Sequence, residues 1–298
     1  MKRACIMNGL FFMFIFLSCN KRESTNTLPA TLNIKDQIAK LNFVSSIESE
    51  EITDIATGVK RYKYRLLFQN DPVTLYITEV DLTKPGLGFQ VLTPNDASTY
   101  MLQTVKEMAE KSDRQGDRVI TATNGDYFSG SGKPWGALIK NGQIIKTDFF
   151  DTWHGFFGVK KDGELFIGAK GNLARDSASF SMAIGGTERL INNFSRVFHS
   201  TNSGRHPRTV VAYNDRKQGF LIVADGRIPG HSVGMSLAEL SELLFALRIK
   251  EALNLDGGGS TTLVDRDPAQ GSFSISNKHS DAAPRAVANA LAIVDRSK

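Results

Sequence analysis

Leu253-Asn254-Leu255-Asp256-Gly257-Gly258-Gly259-Ser260-Thr261-Thr262 constrains this chain more than any other stretch. An apolar run delivers one carboxylate to three consecutive glycines, and hydroxyl residues follow. Three glycines cost conformational entropy and contribute no side-chain packing. They suit places where backbone passes close to another group or takes positive φ. The charge of Asp256 would be expensive to bury without a partner. The segment therefore reads as a ligand site at a strand end, with backbone N–H groups turned to an anion. The competing reading is a tight turn beside a solvated Asp.

The rest of the chain supplies strands. Tyr62, Tyr64 and Leu66 alternate with Arg61, Lys63 and Arg65, the pattern of a half-buried strand. Further strands are expected over 73–80, 88–92, 118–123, 209–213, 219–224 and 288–294. Asn141-Gly142 and Asp162-Gly163, each between apolar runs, signal hairpins. Residues 102–109 have helical spacing, with Ser98 or Thr99 as the expected cap. A second helix starts at Ser236, where Ser236 and Glu239 form a capping box and Leu237, Leu240, Leu243, Leu244 and Leu247 make the apolar stripe. Many strands with few helices predict an α+β fold, a mixed but largely antiparallel twisted sheet with a few packed helices. The expected organisation is one domain over 60–298, preceded by a tether and N-terminal extension over 20–59.

The N-terminus reads as a secretory signal over 1–19. Lys2 and Arg3 precede an apolar run from Gly9 to Leu17, too short to span a bilayer comfortably. It ends in Phe16-Leu17-Ser18-Cys19, which resembles the lipobox of bacterial lipoproteins. Cys19 is thus the expected lipidation site, followed by a polar tether, and the expected location is the bacterial cell envelope, periplasmic or on the outer surface. Cys5 is the only other cysteine, so the mature domain has no thiol for a disulfide or a nucleophile. Removing Lys2 and Arg3 leaves 34 basic residues against 31 acids. That dispersed excess lacks the footprint of a nucleic-acid binder. The five histidines show no H-E-x-x-H pairing, so nothing supports a zinc site; no cofactor is expected, and a metal requirement and the oligomeric state stay open.

Several short motifs carry functional groups. Asn124-Gly125-Asp126-Tyr127-Phe128 follows a strand and reads equally as a turn or a site. Pro207-Arg208 and Pro284-Arg285 each open a strand, where a guanidinium can grip a phosphate or carboxylate through paired hydrogen bonds. Asp225, before Gly226, is a candidate second carboxylate beside Asp256, since two carboxylates flank the bond in most glycosidases. Gly230-His231-Ser232-Val233-Gly234 matches a nucleophile elbow, with Asp256 and His279 completing a triad order. The elbow requires a strand running straight into a helix through the serine, whereas 225–229 intervene and the helix has its own cap at Ser236. Gly130-Ser131-Gly132-Lys133 fails as a P-loop because Tyr127 occupies the first glycine position and Pro134 replaces the Ser/Thr.

From Arg118 to about Asp295 the ordered set of motifs resembles the phosphodiester glycosidase family. The resemblance rests on Asn124-Gly125-Asp126-Tyr127-Phe128, the run from Gly136 to Gly142, Pro207-Arg208-Thr209, Asp225-Gly226-Arg227, Gly234-Met235-Ser236-Leu237, Leu255-Asp256-Gly257-Gly258-Gly259-Ser260 and the run from Arg285 to Ala290. Asp126 stands where a small residue is more usual. The resemblance implies hydrolysis of a sugar-1-phosphodiester to free sugar and a phosphomonoester. Arg208 and Arg285 would then neutralise the phosphodiester, N–H groups of Gly257, Gly258, Gly259 and Ser260 would hold its oxygens, and Asp126 would lie in the substrate site. Asp256 would act as base or nucleophile with Asp225 as its partner, and Asn124 would orient a sugar hydroxyl. The competing class is a non-catalytic glycan-binding surface lipoprotein, with Tyr127, Trp135 and Trp153 as sugar platforms.

Overall fold

Glycine-bearing turns between short apolar runs make strand pairing the dominant event in this chain. A computed structural model describes Met1 and residues 33–114, 118–152, 154–197 and 204–297. The signal segment, Cys19 and Trp153 lie outside the described residues. Helix α1 (Ile34–Ile38) precedes β1 (Ser46–Ala56), β2 (Val59–Phe68), β3 (Asp71–Asp81) and β4 (Leu87–Leu92). Helix α2 (Val105–Arg114) leads to β5 (Arg118–Asn124), β6 (Leu138–Lys140), β7 (Gln143–Lys146), β8 (Gly155–Lys160) and β9 (Leu165–Ala169). After α3 (Lys170–Asp176) come β10 (Phe180–Gly186), β11 (Arg189–Asn192), β12 (Ser195–Arg196), β13 (Arg208–Tyr213) and β14 (Gln218–Ala224). Then follow α4 (Leu237–Ala246), β15 (Glu251–Asn254), β16 (Leu263–Arg266), β17 (Phe273–Ile275) and β18 (Ala290–Asp295).

The strands form three sheets, ordered β1-β2-β3-β14-β13-β15-β11-β12, β7-β6-β10-β8-β9 and β17-β16-β5-β18-β4. The pairings among the described residues are antiparallel. Strand accounts for 45% and helix for 16%, so the chain is richer in β-structure than the expected α+β mix, with three antiparallel sheets in place of one mixed sheet. Residues 33–59 are no mere extension. They supply α1 and β1, β1 pairs with β2 along its length, and the compact unit runs from Asn33 to Lys298.

Local signals placed the turns well. Asn141 (φ 50°) and Gly142 (φ 75°) both take positive φ and close β6 onto β7. Ser236 Oγ accepts from the Glu239 N–H at 3.2 Å while the Glu239 carboxylate accepts from the Ser236 N–H at 2.8 Å, so α4 starts where expected. Helix α2 starts later than expected. Thr104 caps it, accepting from the Glu107 N–H at 3.3 Å, because Ser98 is bonded to Gln143 at 2.9 Å and Gln103 bridges to Val287.

One alternation failed. Arg61 points inward and is 5% exposed. Its guanidinium grips both oxygens of Asp265 at 2.8 and 2.7 Å and donates to Thr78 and Thr121, tying the first sheet to the third. A charge-paired fork makes that burial tolerable where a lone charge would not be. The three sheets share one core, with Val80, Phe89, Phe157, Ile184, Val211, Leu221, Leu253 and Leu291 in a single cluster. Each such side chain contributes about 1.5–3 kcal/mol on burial. The core ends where β5, β10 and β15 finish and β13 begins. Asn124 pairs with Ala290 and Val210 with Asn254, and the Thr187 N–H donates to Asn254 O at 2.9 Å.

Candidate active site

At the end of β15 the chain turns, and the Asp256 N–H donates to Gly125 O at 2.9 Å. This single bond sets the triple-glycine loop on the Asn124-Gly125-Asp126 segment. Each glycine has its own reason. A Cβ at Gly257 would lie 2.6 Å from Pro207 O, Gly258 takes φ +61°, and a Cβ at Gly259 would lie 2.5 Å from Arg285 Cζ. Burial pushes the Asp256 carboxyl up to about 6, against the pull of the Ser260 hydroxyl, the Gly257 N–H and the Arg285 charge. The Gly257 N–H sits 2.8 Å from Asp256 Oδ1.

Two guanidinium groups, Arg227 and Arg285, reach this loop, and the backbone of Arg208 lies against Gly257. Arg285 packs on Gly259 and is paired with Asp281, Nη2 to Oδ2 at 2.7 Å. Arg208 is 7% exposed and spends Nε on Met235 O at 3.0 Å and Nη2 on Gly204 O at 3.2 Å, with no carboxylate bridged to it among the described residues. Burial lowers its pKa, opposed by Tyr127 and Glu188. Arg227, not anticipated from the sequence, is exposed, with Nη1 3.0 Å from where a Gly258 Cβ would be. Burial and the charges of Arg227 and Arg208 lower the pKa of His206 beside them. The segments expected to converge, 207–208, 256–260 and 285, do so.

Asp126 is fully buried, and its Oδ1 has no hydrogen-bond partner among the described residues. Its Oδ2 accepts from the Gly136 N–H at 2.6 Å, and its own N–H donates to Asn289 Oδ1 at 2.8 Å. The carboxyl is pushed up to about 7, first by burial and also by the Asp256 charge. Gly185 is a glycine because of it, since a Cβ there would lie 2.6 Å from Asp126 Cγ, and Gly136 because its Cβ would lie 2.7 Å from the Gly185 Cα. Next along the chain, Tyr127 feels burial, Asp256 and then Glu188, which push its phenol up to about 12. Glu188, at the end of β10, accepts from Asn254 Nδ2 at 3.2 Å and from the Thr187 hydroxyl. It was missed because a lone Glu after Gly185-Gly186-Thr187 carries no motif.

Other expected members are engaged elsewhere. Asn124 is 1% exposed, and its amide donates to Asp256 O at 2.7 Å while its oxygen accepts from Thr209 Oγ1 at 2.7 Å and the Thr262 N–H at 3.2 Å. It positions the loop, with its oxygen and one of its two amide N–H groups engaged there. Asp225 is fully buried, bonded to His231 Nε2 at 2.8 Å, Asn277 Nδ2 at 3.0 Å and the Lys278 N–H at 3.2 Å. Burial raises its pKa, with His231 and Asn277 opposing. The Asp256 charge acts on Asp126. Of the four loop N–H groups, Gly257 donates to Asp256, Gly258 to Pro207 O and Ser260 to Gly257 O, leaving Gly259. Ser232 is buried, with its hydroxyl donating to Asp225 O at 2.6 Å and accepting from the Thr74 N–H at 3.1 Å, so no nucleophile elbow forms. No group of three or more His, Cys, Asp or Glu among the described residues is arranged to hold a metal.

A sequence model of the phosphodiester glycosidase family matches residues 117–294, and the chain belongs to that family. Among curated relatives, the human N-acetylglucosamine-1-phosphodiester alpha-N-acetylglucosaminidase is 24% identical over 220 residues, covering 66% of this chain and 41% of that protein. The mouse protein of the same name is 25% identical over 221 residues, with the same coverage. The chain thus spans about two-fifths of the length of these relatives. The catalytic domain of the zebrafish enzyme, auto-inhibited by its pro-peptide, superposes with a TM-score of 0.62 at 22% identity, covering 87% of this chain and 85% of that one. A hypothetical protein from Synechocystis superposes with a TM-score of 0.62 at 15% identity, covering 83% of this chain and 64% of that one. These likenesses establish the fold.

Proposed function

We propose that this chain hydrolyses the anomeric C–O bond of a sugar-1-phosphodiester, water adding at C1 and a phosphomonoester leaving. The observation that carries the reading is the convergence on one glycine loop of Asp256, the Arg227 and Arg285 guanidinium groups at Gly258 and Gly259, and the Pro207-Arg208 backbone at Gly257. Arg208 and Arg285 face the phosphodiester, and Arg208 brings a buried cation with no carboxylate bridged to it among the described residues. The Gly259 N–H adds a fixed donor. Negative charge grows on the departing phosphate, so such preorganised groups stabilise the transition state more than the ground state. Phosphate leaves readily, which lightens the need for a strong general acid.

Asp256 attacks C1 or takes a proton from the attacking water. Glu188, which accepts from the side chain of Asn254 two residues before Asp256, is the second carboxylate in place of Asp225. Asp126 has no exposed atom for substrate to touch and acts on Asp256 through its charge state. The relatives' names make an N-acetylglucosamine-1-phosphodiester the first substrate to assay. Turnover with release of free sugar supports the reading; sugar binding without turnover would return the chain to the glycan-binding class.

We also infer that Cys19 is lipidated and holds the domain at the bacterial cell envelope. The support is the charged start, apolar run and Phe16-Leu17-Ser18-Cys19 of the sequence. In a bacterial host, Cys19→Ser will shift the protein from the membrane pellet to the soluble fraction. A variant that stays in the pellet with wild-type distribution would contradict the anchor.

A further inference from the structure

An aromatic stack starts at Tyr127, next to the buried Asp126, and ends in solvent. Tyr127 stacks on Trp135 with ring centroids 5.6 Å apart, and Trp135 on Phe150 at 4.8 Å, each pair inclined by 18°. Phe150 is 70% exposed, more than any other phenylalanine among the described residues. It is held out in the open: its N–H donates to Trp135 O at 2.9 Å, the Trp135 N–H donates to Tyr127 O at 2.8 Å, and the buried Lys146 ammonium donates to Trp135 O at 3.2 Å. The neighbouring charges Lys133, Lys146 and Asp148 are paired with one another. Beside the strip, Tyr100, Met101 and Leu102 are also exposed, and their loop packs on Gly132, where a Cβ would lie 2.6 Å from the Met101 carbonyl carbon. A contiguous apolar surface of this kind, pinned in place, marks a binding site more often than chance exposure does.

We propose that the strip Tyr127–Trp135–Phe150 is the subsite for the group esterified to the far side of the phosphate, and that this group is apolar. The proposal rests on the phosphodiester reading for its anchor. Tyr127 is two residues from Gly125, whose carbonyl accepts the Asp256 N–H at 2.9 Å, so the stack begins beside the Asp256 loop. With the sugar at Asp256 and the phosphate at the guanidinium groups, the second ester substituent is the part left to lie along the rings. A hydroxyl-rich substituent would be desolvated there against charges already engaged with each other. An alkyl or aryl substituent gains by removing itself and the rings from water.

The test is calorimetric titration of the folded chain and of Phe150→Ser with methyl phosphate, octyl phosphate and glucose 6-phosphate, each a phosphomonoester of the product type. Because Phe150 is exposed, the substitution spares the core. Octyl phosphate is expected to bind the wild-type chain at least about tenfold more tightly than methyl phosphate, and the ratio to fall to about threefold or less in Phe150→Ser. Equal affinities in the wild type, a ratio that survives the substitution, or tightest binding by glucose 6-phosphate would each overturn the proposal. Absence of binding by all three would remove the phosphate anchor and the subsite with it. Failure to hydrolyse any sugar-1-phosphodiester, with the octyl preference intact, would instead sink the assigned reaction and leave the subsite standing.

Discussion

Asp256→Asn will lower kcat/KM on a sugar-1-phosphodiester by about 10³-fold or more, with KM little changed, because the lost group acts on the reacting atoms. The same substitution will raise thermal stability at pH 7.5 and not at pH 4. The folded protein holds this carboxyl up at about 6, above its ordinary value of 3.8. Between those values the folded state binds more protons than the unfolded one, so the contribution of Asp256 to stability falls as pH rises through that window and stays low above it. Asn keeps an oxygen for the Gly257 N–H and carries no charge. In the wild type, kcat/KM will rise with pH through about 6 as Asp256 ionises. Wild-type turnover by Asp256→Asn, or a stability gain of equal size at both pH values, would contradict the assignment.

Arg208→Met will cost about 10²–10³-fold in kcat/KM, the usual loss for one preorganised electrostatic group. Its melting temperature will not fall in proportion. A buried guanidinium with only carbonyl partners is a stability liability, and a flexible apolar side chain can fill its place. Arg208→Lys will recover little, since an ammonium lacks the planar fork that holds Met235 O and Gly204 O while facing an anion. The readout is kcat/KM beside a melting curve for each variant. Activity and stability lost together, in proportion, would make Arg208 a structural residue.

These two residues were legible because their motifs are local. A triple glycine after an apolar strand says that something approaches the backbone, and Pro-Arg at a strand mouth says where a guanidinium starts. The hairpin at Asn141-Gly142 and the capping box at Ser236 were legible for the same reason: their chemistry is complete within four residues. What failed was long-range. Asp225-Gly226 reports a carboxylate at a strand end but not which way it faces, and it faces His231 and Asn277. Arg61 alternates as an outward residue, yet its partner Asp265 lies 204 positions away on another sheet. Glu188, ahead of β11, and Arg227, after β14, come to the loop only because β13 and β15 lie between those two strands, an order that no local pattern encodes. Asn124 looked like a site amide and is the brace that holds Asp256 by its carbonyl.

The most direct test is to follow hydrolysis of an N-acetylglucosamine-1-phosphodiester in ¹⁸O-labelled water and locate the label. Attack at the anomeric carbon, directed by Asp256 with the guanidinium groups on the departing phosphate, puts ¹⁸O on C1 of the free sugar and none on the phosphomonoester. Label found on phosphorus would mean that the P–O bond breaks, and that Asp256 does not work at the sugar.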